Sequence, residues 1–194
     1  NTIFQKTLNY CKINVLISNY DFLTNKKNNG FSLNLPIVNY LHIHLDEKWF
    51  NNLYIKSYTN IKPSYHDFVN FLDSLAINNN VLITTGLINF NLIDDLKKNY
   101  FNKKNDKIYN IKKLQNSLYL VFMPSFEDLE SLLRNTKILI CCHGAITHAA
   151  NSFDIKKIDI LEYKRDDFYR KFTSYIKDYH PVYRESFNKL SSKL

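Results

Sequence analysis

The feature that most constrains this chain is an alternation between residues 37 and 163. Five short apolar runs are separated there by segments whose apolar residues fall on one helical face. The runs are IVNYLHIHL (37–45), NVLITTG (80–86), SLYLVFMP (117–124), KILICC (137–142) and KKIDILEY (156–163). Short, apolar and bounded by turn residues, each predicts a strand buried on both faces. Strand and helix repeating in this order predict a parallel sheet with right-handed crossovers and helices on both sides. The expected fold is α/β, a Rossmann-like sheet of about five strands.

The intervening segments carry helix chemistry. SYHDFVNFLDSLAINNN opens with Ser64 and Asp67 as a capping pair and sets Phe68, Phe71, Leu72 and Leu75 on one face. SFEDLESLLRN repeats the signature with Ser125 and Asp128 and predicts burial of Phe126, Leu129, Leu132 and Leu133. NLIDDLKKNYF, residues 91–101, offers Asn91 as a cap, acids in its first turn and lysines after them, which suits the helix dipole. NKKNDKIYNIKK is polar and predicts loop with a marginal strand around 107–111. The resulting organisation is a linker or remnant of a preceding domain over 1–37, a Rossmann-like α/β domain over 38–163, and a helical tail over 164–194.

A formal charge of +8 raises the question of nucleic acid. Lysine is spread along the chain, however, and the abundance of Lys, Asn, Ile and Tyr beside only 3 Gly and 4 Pro reads as coding bias. Nucleic acid is therefore not an expected partner. A basic surface still favours anions, such as nucleotide diphosphates or an acidic membrane face, so peripheral membrane association joins the expected partners. The cysteines are Cys11 and the adjacent Cys141 and Cys142. An odd count without C-x-x-C spacing predicts reduced thiols in the cytoplasm, with neither a disulfide framework nor a zinc site. No apolar stretch approaches ~18 residues and no signal pattern stands at the start. The expectation is a soluble cytoplasmic protein, and Asn at position 1 suggests a piece of a longer one.

In a parallel sheet, ligands sit at the carboxyl ends of the strands. The run ILICC ends there on His143, Gly144 and Ala145, and a helix beginning at that point would aim backbone N–H groups at a diphosphate. His148 lies one turn further on. Lys48 follows the first strand and can neutralise a departing diphosphate, while Gly86 ends the second and permits close approach. The candidate diphosphate-binding edge is thus Lys48, Gly86, His143, Gly144, Ala145 and His148. The competing readings are a solvated loop for Lys48, a plain turn for Gly86 and packing for His148. His42 and His44 face one side of their strand, and without an acid or Cys partner at ligand spacing they predict no metal site. Asp46-Glu47 and Asp166-Asp167 read as solvated or helix-start acids, and no G-x-S-x-G elbow is present.

The order of elements resembles the carboxyl-terminal half of a GT-B glycosyltransferase, in particular the ADP-heptose:lipopolysaccharide heptosyltransferase-like family. That family carries a strand, then D-S-G-P-x-H-x-A-A, then a strand, and HGAITHAANSFDIKKIDIL follows it with His148, Ala149 and Ala150. The family's earlier strand ends in a Lys near a Trp, as Lys48-Trp49 does after LHIHLDE. The resemblance covers roughly residues 38 to 163. It departs where His143 replaces the family's Asp and Gly144-Ala145 stands for Ser-Gly. The resemblance implies an inverting, metal-independent transfer from a nucleotide-sugar donor to a glycan, lipid-linked or other hydroxyl acceptor, with no cofactor and with the catalytic base outside this segment. The alternative expectation is a noncatalytic Rossmann-like module that binds a nucleotide or glycan without turnover.

Overall fold

A computed structural model of the chain describes residues 33, 35–50, 64–161 and 166–193. The expected linker over 1–37 lies mostly outside these residues, as does Cys11. Leu33 and Ile37, which are described, are buried in a core cluster with Tyr40, Leu82 and Val121, so this end of the segment belongs to the domain.

The protein is α/β. Its strands are β1 (Tyr40–Leu45), β2 (Val81–Thr85), β3 (Asn102–Lys103), β4 (Ile108–Lys113), β5 (Asn116–Val121), β6 (Thr136–Cys142), β7 (Lys156–Leu161) and β8 (Tyr179–Tyr183). They form one eight-stranded sheet in the order β3-β4-β5-β2-β1-β6-β7-β8, not a sheet of about five. The six strands from β5 to β8 run parallel, while β3 and β4 add an antiparallel edge. The helices are α1 (Tyr65–Ala76), α2 (Asn91–Asn99), α3 (Phe126–Arg134), α4 (Ala145–Ala149), α5 (Asp166–Thr173) and α6 (Phe187–Ser191). None of the described helices is long and apolar enough to cross a membrane.

Strand alternation separates two cores. Leu41, Ile43, Leu45, Ile83, Ile140 and Ile158 pack on one face against Phe68, Phe71 and Leu72 of α1 and Leu96 of α2. On the other face Tyr40, Leu82 and Val121 meet Leu132 of α3, and Leu139 and Cys141 meet Leu133 and, from α4, Ile146. Both faces are covered, as a parallel sheet requires.

The capping pairs work as their spacing implies. Ser64 Oγ accepts from the Asp67 N–H at 3.1 Å, and Ser125 with Asp128 completes a reciprocal box. Three local expectations need correction. Asn91 begins α2 but does not cap it: extended Phe90 holds the cap position, and no side chain caps the helix. Phe126 is 56 % exposed, because a first-turn side chain points back past the helix start, here into solvent. The tail over 164–194 is not simply helical, since its residues 179–183 form β8 and pair in parallel with β7.

Candidate functional site

α1, after β1, packs on one face of the sheet, whereas α4, after β6, packs on the other. The chain leaves the carboxyl ends of these neighbouring strands in opposite directions, the switch in strand order at which open α/β sheets commonly place a ligand crevice.

The first wall is the turn after β1. Asp46 accepts the Lys48 N–H at 3.1 Å and starts a single 3-10 turn over Glu47–Trp49. The same carboxylate accepts from Lys48 Nζ at 2.9 Å. Burial opposes the Lys48 charge, but Asp46 outweighs it and holds the ammonium pKa above the ordinary lysine value. Asp46 is itself raised by burial, against the pull of Lys48. Trp49 anchors the turn from below: it is 1 % exposed, and its Nε1–H donates to the His44 carbonyl at 2.8 Å. Arg184, just after β8, closes the turn from the far side. Its guanidinium donates to the Lys48 carbonyl at 2.8 Å and to the Trp49 carbonyl.

The second wall is the turn after β6. A Cβ placed on Gly144 would lie 2.7 Å from Lys48 Nζ and 3.8 Å from Asp46 Oδ2, and one on Gly86 would lie 3.4 Å from Asp46 Cβ. The sequence-predicted Lys48, Gly86 and Gly144 therefore meet around Asp46, whose role the sequence did not reveal. Ala145 is exposed at the start of α4. That helix has only five residues, and the Gly144 N–H is already held by Thr147 Oγ1 at 3.2 Å. The expected row of helix N–H donors is correspondingly curtailed.

His143 precedes Gly144 in the chain and forms a separate cluster with His148, their ring centroids 5.2 Å apart. His143 Nδ1 lies 2.6 Å from Asp159 Oδ2. Asp159 is fully buried in β7 and also accepts from Tyr179 Oη at 2.8 Å and Thr147 Oγ1 at 3.1 Å. His148 Nδ1 meets the Tyr175 hydroxyl. Burial, reinforced by His143, lowers the His148 pKa.

His42 and His44 share a sheet face as their spacing implies, and their roles follow from hydrogen-bond direction. Thr136 Oγ1 donates to the Leu132 carbonyl at 3.0 Å, so it accepts from His42 Nδ1–H at 3.1 Å. His42 Nε2 then accepts from Thr84 Oγ1 at 2.8 Å, and that hydroxyl oxygen accepts from His44 Nδ1–H at 2.9 Å. A second proton on His42 would leave the Thr84 hydroxyl without an acceptor, so this chain is satisfied only while His42 is neutral. Burial accordingly pushes His42 down to about 3 and His44 to about 4, with charge from His44 and Lys48 adding respectively.

Cys141 and Cys142 are buried free thiols whose pKa values burial raises, which leaves them unreactive. Among the described residues no group of three or more His, Cys, Asp or Glu is arranged to hold a metal ion. An open cavity of about 540 Å³ is lined by Asp167, Arg170, Lys171 and Ser174 and includes none of the residues around Asp46. Comparison of the chain with protein-family models, curated proteins and solved structures found no match.

Proposed function

We propose that this chain is the nucleotide-sugar-binding part of a GT-B glycosyltransferase, with a Rossmann-like sheet that receives the donor's diphosphate in the crevice between β1 and β6. Counted among themselves, the six parallel strands lie in the order third, second, first, fourth, fifth, sixth, which is the order of doubly wound dinucleotide-binding sheets. The observation that carries the reading is the Lys48 ammonium held over Gly144 at the switch in strand order. A diphosphate entering there exchanges with Asp46 as the partner of Lys48, and the absence of a side chain at Gly144 gives it room. Transfer then requires an acceptor hydroxyl and a base from outside the described residues, and the lysine stabilises charge on the departing nucleoside diphosphate.

Calorimetric titration with ADP, GDP and UDP and their sugar conjugates tests this. Lys48→Met is expected to weaken binding by about 1 to 3 kcal/mol, the scale of a lost charge-assisted hydrogen bond. Gly144→Ala makes a sharper test, because Gly144 has an extended φ of −177° that any residue adopts. Only the end of a flexible lysine must move, so stability should change by no more than about 0.5 kcal/mol while affinity falls in the same direction as in Lys48→Met. Wild-type protein that binds none of these ligands at millimolar concentration would remove the site. Binding without turnover across a panel of hydroxyl acceptors would favour the noncatalytic module.

A further inference from the structure

We infer that Asp159 and His143 form a proton-carrying pair whose outer nitrogen, His143 Nε2, takes up a proton as a diphosphate binds and donates it in a hydrogen bond to a phosphate oxygen. This rests on the crevice between β1 and β6 being the diphosphate site, and it adds a second cation to that site.

Asp159 is the starting point. A carboxyl buried in the middle of a parallel strand needs donors to replace lost water. It has them: Oδ2 receives His143 Nδ1 at 2.6 Å and Tyr179 Oη at 2.8 Å, while Oδ1 receives Thr147 Oγ1 at 3.1 Å and the Cys141 thiol at 3.7 Å. An ionised carboxylate is acceptor-only, so in its contact with Asp159 it is His143 Nδ1 that carries the hydrogen. The second proton of the imidazole can then enter only at Nε2. His143 stands between the end of β6 and Gly144, and its side chain remains 14 % exposed.

The groups around the ring determine when that proton arrives. Asp159 from β7 faces the ring at Nδ1, and Tyr179 from β8 and Thr147 from α4 donate to the same carboxylate. The His148 ring from α4 and the Tyr169 ring from α5 stand against it at 5.2 and 4.8 Å. His148, which burial and the neighbouring histidine hold towards neutrality, is not the carrier. Across Gly144 lies the Lys48 ammonium, which opposes a second cation, with Asp46 as its counter-ion. A diphosphate removes this opposition by supplying negative charge to both cations, so binding and protonation are linked.

The test is calorimetry of ADP, GDP and UDP binding at pH 8 in buffers of different ionisation enthalpy, where the buffer dependence of the heat counts protons. At that pH the diphosphate is ionised, so uptake is not confused with protonation of the free ligand. Wild-type protein should take up between about one half and one proton per ligand. His143→Asn should take up close to none and bind about tenfold more weakly, while the exposed His66→Asn serves as the histidine control and keeps the uptake. Asp159→Asn should also lose it, but the decision rests on His143→Asn because Asp159 is wholly buried and its replacement risks unfolding. Diphosphate binding without uptake, or uptake that survives in His143→Asn and so belongs to Asp46 or the ligand, overturns the inference and leaves the Lys48 site standing. Absence of any diphosphate binding overturns the site and the inference with it.

Discussion

Trp49→Ala is expected to destabilise the folded chain by about 3 to 5 kcal/mol, the range for removing a fully buried tryptophan. The indole packs edge-on to Phe68 of α1 at 6.2 Å and stacks with Phe187 of α6 at 6.4 Å, so its loss opens a cavity shared by two helices. Little collapse can fill it, because Leu45, Phe68 and Phe71 around it are themselves fully packed. Urea unfolding should show a lower midpoint at nearly unchanged slope. Trp49→Phe should recover most of the loss but forfeit the indole hydrogen bond to the His44 carbonyl, a deficit of about 1 kcal/mol. A cost below about 1 kcal/mol for the alanine variant would mean that the turn carrying Lys48 is not anchored in this way.

The second large effect is acid sensitivity. His42 is neutral in the fold down to about pH 3, whereas an unfolded histidine takes a proton near ~6.5. Its folded pKa is depressed, so the unfolded chain binds more protons between these values. Stability is thus fully present above ~6.5 and declines as pH falls, by about 1.4 kcal/mol per pH unit. From pH 6.5 to 4.5 His42 alone removes about 2 kcal/mol, since the slope is still developing near the unfolded pKa. His44, depressed to about 4, steepens the decline over the same window. Asp46 acts with the opposite sign, since its raised carboxyl pKa lets the folded chain take a proton first. The lowered acids Asp94, Asp106 and Glu185 lose their contributions from the ordinary carboxyl range downward, so they add to the decline only at the acid end of this window and, being at the surface, add little. Urea midpoints at pH 7.0, 5.5 and 4.5 should therefore fall steadily, and His42→Gln should roughly halve the slope. A flat profile in the wild type would show that the histidine–threonine chain is open to water.

Much of the architecture is legible in the sequence because its two strongest signals are local. Runs such as VLITT and KILICC can be satisfied only by burial on both faces, and Ser64 and Ser125 mark helix starts through chemistry that needs no tertiary partner. β8 is less legible because YHPVY carries Pro181 and a histidine, and its place at the sheet edge leaves it only partly covered. β4 is masked in the same way by Lys112 and Lys113. At the site, strand ends direct attention to Lys48, Gly86 and Gly144, which do converge. Asp46 and Asp159 escape notice because their meaning depends on who meets them. One signal for Asp159 was available: an acid flanked by Ile158 and Ile160 in a central strand must be buried, and a buried acid must have donors. Nothing local announces Arg184, whose partners come from the opposite end of the domain.

That last contact gives the domain an order of completion. Lys48 and Arg184 are 136 residues apart, so at ordinary elongation rates the loop is synthesised roughly 7 to 30 s before the guanidinium that grips it. Until β8 docks against β7, a nascent chain can assemble much of its hydrophobic interior and still hold Lys48 on an unsecured turn. On the proposed function, ligand capture then matures last, with the edge strand, and a chain stopped short of residue 179 is expected to keep the central strands of the sheet but to hold a nucleoside diphosphate less tightly.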